Sequence, residues 1–269
     1  MEESKDRYPL HTACKVGDVN LVRELIHQGH MVNDGNFDLV HPLHEACFHG
    51  NIECVQELLS AGATVDCRNI DGSTPLCDAC SSGNVDCVKL LLKSGANVNP
   101  KLLLSSPLHE AVLRDKVECA QLLVDAGANL NQTDCHFGTP LHAAVTKGSL
   151  KCLVLLLKAG CNVNCIKILN TPLHLAARQQ DIDAVSVLLQ FGANTNMTNN
   201  YDLTAKDMVP SSTSSIRQIL QQWECNPRSM KFLCRQVIRQ CLGQNGLRQV
   251  HKLNLPNLLT DFLLYEYIH

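Results

Sequence analysis

Cysteine and histidine are the residues of this sequence that could do chemistry, with 15 cysteines and 12 histidines in 269 residues. Cys77 and Cys80 form a Cys-x-x-Cys pair, a spacing used in zinc sites and in redox centres. A zinc site would need a second pair, and no other Cys or His pair is spaced to complete it. A Cys/His hydrolase would need one unique nucleophile and base.

The histidines are instead copies of one repeated motif. A small or polar residue followed by Pro-Leu-His-x-Ala recurs five times, and Cys77 replaces the histidine in a sixth copy. The prolines are spaced 33, 33, 32, 33 and 32 residues apart, and a glycine follows each by 20 residues. The prolines are Pro9, Pro42, Pro75, Pro107, Pro140 and Pro172. A period of this length indicates a repeat protein, so the histidines are interpreted as hydrogen-bonding parts of each turn.

The cysteines keep the same register. Cys54, Cys87, Cys119 and Cys152 each lie 12 residues after a motif proline, early in the second helix of the unit. Buried reduced cysteine behaves as a small hydrophobic residue. We therefore expect structural cysteines, no catalytic residue, no metal and no cofactor, and hence a protein that is not an enzyme.

Each unit reads as a helix pair. Thr-Pro begins the first helix, because proline is tolerated in the first turn and the hydroxyl can cap it. An apolar pair 16 and 17 residues after the proline faces the core from the second helix, and the glycine ends that helix. Residues 201 to 224 form a seventh, degenerate unit without Pro-Leu-His. A degenerate last unit suits the end of a solenoid.

The six units resemble ankyrin repeats. The resemblance implies that a target protein meets the exposed positions of the first helices and the tips of the turns, several of which are apolar. The predicted target-binding residues are Phe37, Glu45, Phe48, His49, Ile70, Asp78, Leu103, Glu110, Leu113, Arg114 and Phe137. Exposed apolar clusters often mark interfaces. The alternative is that the apolar tips pack on one another and stiffen the array.

The chain after residue 225 has a different character, with six basic and two acidic residues from 226 to 269. Ser229 can cap a helix with a wide apolar face, and Arg235 and Arg239 fall on its other side. The glycine-rich run 243 to 246 predicts a turn, and residues 257 to 267 predict a last helix. A segment of this size is small for an independent core, so we expect it to lean on the last repeat or on a partner.

This segment resembles a SOCS box, through Ser229, Met230, Cys234, Ile238, the two arginines, Leu253-x-Leu255-Pro256 and Phe262-Leu263-Leu264-Tyr265. With the repeats, the chain is similar to the ankyrin repeat and SOCS box family. The resemblance implies that elongin C, together with elongin B, binds to Met230, Leu233, Cys234, Val237 and Ile238. It also implies that cullin 5, with its RING protein, binds to Leu253, Leu255 and Pro256. Leu258 stands where a second proline is common, which leaves cullin 2 as an alternative.

We therefore expect an all-α solenoid of six clear ankyrin repeats and a degenerate seventh, residues 1–224, followed by a three-helix SOCS box, residues 225–269. The implied function is a substrate-recognition adaptor of an elongin–cullin–RING ubiquitin ligase for an unidentified protein. The alternative is a scaffold that sequesters a partner without ubiquitination. The net charge of −3 argues against nucleic acid. The sequence shows no leader and no apolar run of about 20 residues. We therefore expect no membrane association and a cytoplasmic location, with the nucleus as a second location.

Overall fold

The structure is a computed structural model and describes residues 7–100, 105–167, 170–209, 214–225 and 229–265. Within these ranges every regular element is a helix and none is a β-strand, which confirms the predicted all-helical fold. In the same ranges no helix combines the length and apolarity needed to cross a bilayer. The chain divides into two compact units, Met1–Ala128 and Asn129–His269.

The first unit contains four helix pairs. Its helices are α1 Pro9–Val16, α2 Val19–His27, α3 Pro42–His49, α4 Ile52–Ser60, α5 Pro75–Ser82, α6 Val85–Lys93, α7 Pro107–Leu113 and α8 Val117–Asp125. The odd-numbered helices pack side by side, and the even-numbered helices form a second row. The motif proline occupies the first turn of each odd-numbered helix, as the sequence predicts.

The second unit contains the fifth and sixth helix pairs, the degenerate unit and the C-terminal box. Its helices are α9 Pro140–Lys147, α10 Leu150–Lys158, α11 Pro172–Gln179, α12 Ile182–Gln190, α13 Ser214–Cys225, α14 Met230–Arg248 and α15 Asn257–Leu264, with a short 3-10 helix Val250–Lys252 before α15. The degenerate unit supplies α13, which packs on α12. Residues 201–209 form turns in the place of a first helix.

Repeated histidines connect one helix start to the next turn. The imidazole Nδ1 of His174 lies 2.8 Å from the hydroxyl oxygen of Thr171, and its Nε2 donates to the carbonyl oxygen of Leu203 at 3.1 Å. His142 makes the same contacts with Thr139 and with the carbonyl oxygen of Asn170. The ring therefore both caps its own helix and fixes the following tip, which explains why the motif repeats.

The repeated cysteines lie in the core. Cys54, Cys87, Cys119 and Cys152 are buried, as are the leucines four residues after them, Leu58, Leu91, Leu123 and Leu156. Burial raises the pKa of the Cys87 thiol to about 11, so the thiol stays neutral and unreactive at ordinary pH. The structural interpretation of these cysteines is confirmed.

The box differs from the sequence prediction at two places. The predicted end of the first helix at Gly243 is confirmed by a kink, with φ 60° and ψ −173°, but the residues after it are helical to Arg248 and form no turn. This backbone conformation is open to glycine and strained for other residues. The last helix ends at Leu264 and not at residue 267, because Tyr265 adopts the left-handed conformation, with φ 61°.

Candidate functional site

Helix α14 carries an exposed apolar face. Met230 is 72% exposed and Val237 is 57% exposed, and the other three residues predicted to bind elongin C, Leu233, Cys234 and Ile238, are also exposed. Water-exposed apolar side chains in a row along one helix are typical of a surface that a partner covers. The structure thus brings all five predicted residues together on one accessible surface.

The opposite side of α14 carries a buried charged residue. Arg239 is only 7% exposed, and its guanidinium donates to the carbonyl oxygens of Leu157 at 2.7 Å, Lys158 at 2.9 Å and Leu263. Two of these carbonyls end α10, where backbone acceptors lack helical partners and the helix dipole is negative. Burial lowers the pKa of Arg239, while the Tyr265 phenol acts to raise it.

A second contact joins the box to the end of α12. The ring of Tyr265 stacks on that of Phe191 with centroids 4.0 Å apart, and its hydroxyl donates to the carbonyl oxygen of Gln190 at 3.1 Å. The amide of Gln236 donates to the Tyr265 hydroxyl oxygen at 2.6 Å. Burial raises the pKa of Tyr265, so the phenol keeps its proton. The box was expected to lean on the last repeat, on a partner or on both, and these contacts are with the fifth and sixth repeats.

A groove of about 770 Å³ lies between the start of α14 and α15. Its apolar lining comes from Pro256, Leu258, Leu259, Phe262 and Tyr265, and its charged lining comes from Lys231, Arg235 and Asp261. The Arg235 guanidinium carbon lies 4.6 Å from the centroid of the Phe262 ring. Sequence reasoning did not assign Leu259 or Phe262 to a binding surface, although the apolar surplus of the last helix was a signal.

The predicted cullin-facing residues have mixed environments. Leu253 and Pro256 are exposed, which fits a surface role. Leu255 is half-buried and packs on a small core of Leu247, Val250 and Leu263. Leu255 therefore helps to hold the box together as well as contributing to the segment's surface.

The predicted target-binding residues are mostly accessible. Phe37 is 74% exposed, Phe48, His49, Ile70 and Arg114 are exposed, and Glu45, Asp78, Glu110 and Phe137 are half-buried. Leu113 differs, since it is only 9% exposed at the end of α7, where its apolar side chain is removed from water. The expected exposure of Leu113 was wrong. Leu103 lies outside the described residues.

The apolar tips show some mutual packing. The rings of Phe37 and Tyr8 meet edge to face with centroids 6.0 Å apart, and Arg7 lies 4.6 Å from the Phe37 ring centroid. The backbone amide of Ile70 donates to the carbonyl oxygen of Asp38 on the preceding tip. The tips are therefore braced by neighbours while much of their apolar surface remains exposed.

Three possible metal ligands, His41, His44 and Cys67, lie together in the described part of the first unit, with ligand atoms within 4.8 Å of one another. Both ring nitrogens of His44 are already engaged, with the His41 amide and the Ser73 carbonyl oxygen, each at 3.1 Å. Burial raises the pKa of Cys67 to about 12, and a neutral thiol is a poor ligand. The hydrogen bonds of the repeat therefore account for the position of His44 in this cluster.

The second unit contains an equivalent Cys-His contact. Cys165 lies 3.7 Å from His142 Nδ1, the distance found between Cys67 and His44. The residue at the position of His41 is there Thr139, which is not a usual metal ligand. The contact is therefore a recurring part of the repeat, and it gives no support to a metal centre.

Replacing Asp78 with asparagine should stabilise the free chain at pH 8. Burial raises the pKa of Asp78 to about 7; Glu110 and Glu45 add to the rise, and the Ser73 hydroxyl opposes it. A carboxyl group with a raised pKa loses its stabilising contribution as pH rises from about 4 towards 7. The free energy of unfolding of Asp78→Asn should therefore increase at pH 8 by about 1 to 4 kcal/mol, and by less at pH 5.

Urea unfolding at both pH values measures this effect. The control is Asp71→Asn, which removes an exposed carboxylate from the neighbouring turn. An equal gain from both variants, or a gain that does not change with pH, would contradict the role assigned to burial.

Comparison with known proteins supports both parts of the chain. The model for ankyrin repeats (3 copies) matches residues 1–69, 43–134 and 108–199, and the SOCS box model matches residues 226–264. Ankyrin repeat and SOCS box protein 11 of Bos taurus is 45% identical over 53 residues, 20% of this chain and 16% of that protein. Ankyrin repeat and SOCS box protein 5 of Homo sapiens is 42% identical over 67 residues, 25% of this chain and 20% of that protein.

These matches cover only about a fifth of each curated relative's length. Solved structures match more widely. The human ASB11 ankyrin repeat domain aligns with TM-score 0.75 and 38% identity over 82% of this chain and 100% of that chain. The ankyrin repeat domain of Bcl-3, a member of the IkappaB family, aligns with TM-score 0.69 and 28% identity over 81% of this chain and 100% of that chain. The chain therefore belongs to the ankyrin repeat and SOCS box family.

Proposed function

We propose that this chain is a substrate-recognition adaptor of a ubiquitin ligase. In this proposal the box binds elongin C, which brings elongin B, and cullin 5 with its RING protein, while the repeats bind a target protein. The functional boundary lies at residues 224 and 225. Holding target and ligase on one chain raises the effective concentration of the target's lysines near the conjugating enzyme.

The observation that carries the proposal is the orientation of α14. Met230, Leu233 and Val237 are exposed, whereas Arg239 on the other side is buried. Burying one apolar side chain of this size contributes about 1.5 to 3 kcal/mol. A partner that covers these residues would therefore gain a considerable part of its binding free energy from them. An amphipathic helix with its apolar face outward has the character of a partner-binding element.

The groove beside α14 extends this surface. We assign the elongin C contact to Met230, Leu233, Cys234, Val237 and Ile238, continued by Leu258, Leu259 and Phe262. The groove is large enough to take several side chains of a partner helix, and Lys231 and Arg235 at its edge favour an acidic partner segment. The exposed residues Leu253 and Pro256 are assigned to cullin, next to Leu258.

The chain itself is proposed to do no covalent chemistry. Burial raises the pKa of Cys77 to about 11, and Thr74 and Ser73 only partly oppose this shift. A thiol with such a pKa is not a nucleophile at neutral pH. In this proposal ubiquitin transfer is left to the partners, and binding is the contribution of this chain.

Co-expression with elongins B and C, followed by size exclusion, tests the proposal. Co-elution in one complex is expected, and cullin 5 and cullin 2, added separately, show which cullin is preferred beside Leu258. A folded chain that elutes without the elongins would contradict the adaptor function and leave a scaffold that sequesters its partner. Binding of cullin 2 alone would overturn the cullin 5 assignment and keep the adaptor.

A further inference from the structure

We infer that Arg239 is a positioning residue that fixes the box on the ends of α10 and α12, so that the apolar face of α14 points in one direction relative to the fifth and sixth repeats. The inference rests on the proposed function, because direction matters only if α14 carries the ligase. In a ligase of this kind, the direction of the docking helix would decide which lysines of a target can be reached.

The first support is the set of partners of Arg239. Its guanidinium binds carbonyl oxygens of Leu157 and Lys158 on the repeat side and of Leu263 on the box side. Within the described ranges Arg239 forms no salt bridge. Its charge is therefore compensated by the negative end of α10 and by carbonyl dipoles. The fork geometry of arginine fits several acceptors at fixed angles, which suits an orienting role.

The second support is close packing on two repeat glycines. Gly160 and Gly192 follow α10 and α12, both with φ near 90°. A Cβ atom at Gly192 would lie 2.8 Å from the side chain of Gln236, and one at Gly160 would overlap Leu247. The box therefore lies directly on backbone at both helix ends. Such contact leaves little freedom for the box to pivot.

The third support is the separation of the two faces of α14. Nine residues of α-helix turn the chain about 180° beyond whole turns, which places Arg239 opposite Met230. Tyr265 and Gln236 each donate a hydrogen bond to the carbonyl oxygen of Gln190, the last residue of α12. Arg239 and Gln236 are outside the proposed elongin surface. The attachment to the repeats and the docking of the ligase can therefore be changed independently.

Arg239→Leu, Arg239→Lys and the wild-type full chain form the test set, measured by amide hydrogen exchange. Arg239→Leu should speed exchange in α15 and in the second half of α14 by about tenfold or more, since hydrogen bonds to charged groups are among the stronger ones. Exchange in α9 should stay unchanged and is the internal reference. Arg239→Lys, which keeps the charge and loses the fork, should give a smaller increase.

The elongin affinity of the same variants separates orientation from folding. Arg239→Leu should retain the affinity for elongins B and C, while small-angle scattering of the complex should show a broader distribution of dimensions. Unchanged exchange and scattering in Arg239→Leu would overturn the inference. Loss of elongin affinity together with helix content would also overturn it, because Arg239 would then be a core residue of the box.

Failure of the proposed function gives a different result. If the wild-type chain does not bind elongins, the adaptor proposal is wrong, and exchange in the free chain still decides whether Arg239 fixes the box. Gln236→Ala provides a milder variant that removes hydrogen bonds on the α12 side and keeps the guanidinium. In Gln236→Ala, amide exchange in α15 should increase less than in Arg239→Leu. If both variants exchange at the wild-type rate, the inference that Arg239 fixes the box on the repeats is refuted.

Discussion

Replacing Met230 and Val237 with aspartate is expected to lower the affinity of the chain for elongins B and C by about 100-fold or more. Both side chains are exposed in the free chain, so the substitutions should not unfold it. In the complex, each aspartate would place a carboxylate in an apolar contact, where burial of an unpaired charge is costly. Titration calorimetry with the purified elongin pair measures the loss.

A matched control separates this effect from a general change of surface charge. Ile70→Asp with Ile166→Asp makes the same number of apolar-to-acidic changes at exposed residues of the repeats. This control should bind elongins with wild-type affinity. If the box variant binds as tightly as the control, α14 is not the elongin contact.

Most of the repeat fold could be predicted from sequence because its determinants are local. A proline in the first turn, a histidine two residues later and a glycine after the second helix each act within one unit or on the next tip. The period then places Cys87 and Cys152 at equivalent buried positions. Six copies of one pattern support each other, which makes the interpretation secure even though each motif is short.

The box was predicted less completely, because its local pattern does not say which face meets water. The predicted apolar face of α14 is present, but it is exposed to solvent, whereas Arg239 on the other side is buried. In most helices of folded proteins the apolar face is the buried one. Arg239 is buried because its partners lie on α10, about 80 residues away along the chain. No local rule connects an arginine to a helix end at that separation.

In the candidate site, too, local features could be predicted from the sequence and tertiary contacts could not. The resemblance implied five elongin residues on one helix, helical spacing predicted that they share a face, and they do lie on one surface. Leu259 and Phe262 join that surface only because α15 folds back beside α14. Leu113 shows the opposite error, since its position in the repeat indicates an exposed residue while packing buries it. Tertiary contacts decide both cases.

Leu156→Ala is expected to destabilise the second unit by about 2 to 5 kcal/mol, the range for a buried leucine replaced by alanine. Leu156 lies in α10 with 0% exposure, so the substitution leaves a cavity in the core. Urea unfolding, followed by far-ultraviolet circular dichroism, measures the shift in midpoint. Because neighbouring repeats stabilise one another, the loss should spread to α12 and the box.

Leu150→Ala is the control on the same helix. Leu150 is 40% exposed at the start of α10, so its truncation should change stability by about 0.5 kcal/mol or less. Equal effects of the two variants would show that α10 is not packed as described. A large effect of Leu156→Ala that also speeds exchange in α15 would connect the repeat core to the box, since α10 presents the carbonyl oxygens that Arg239 binds.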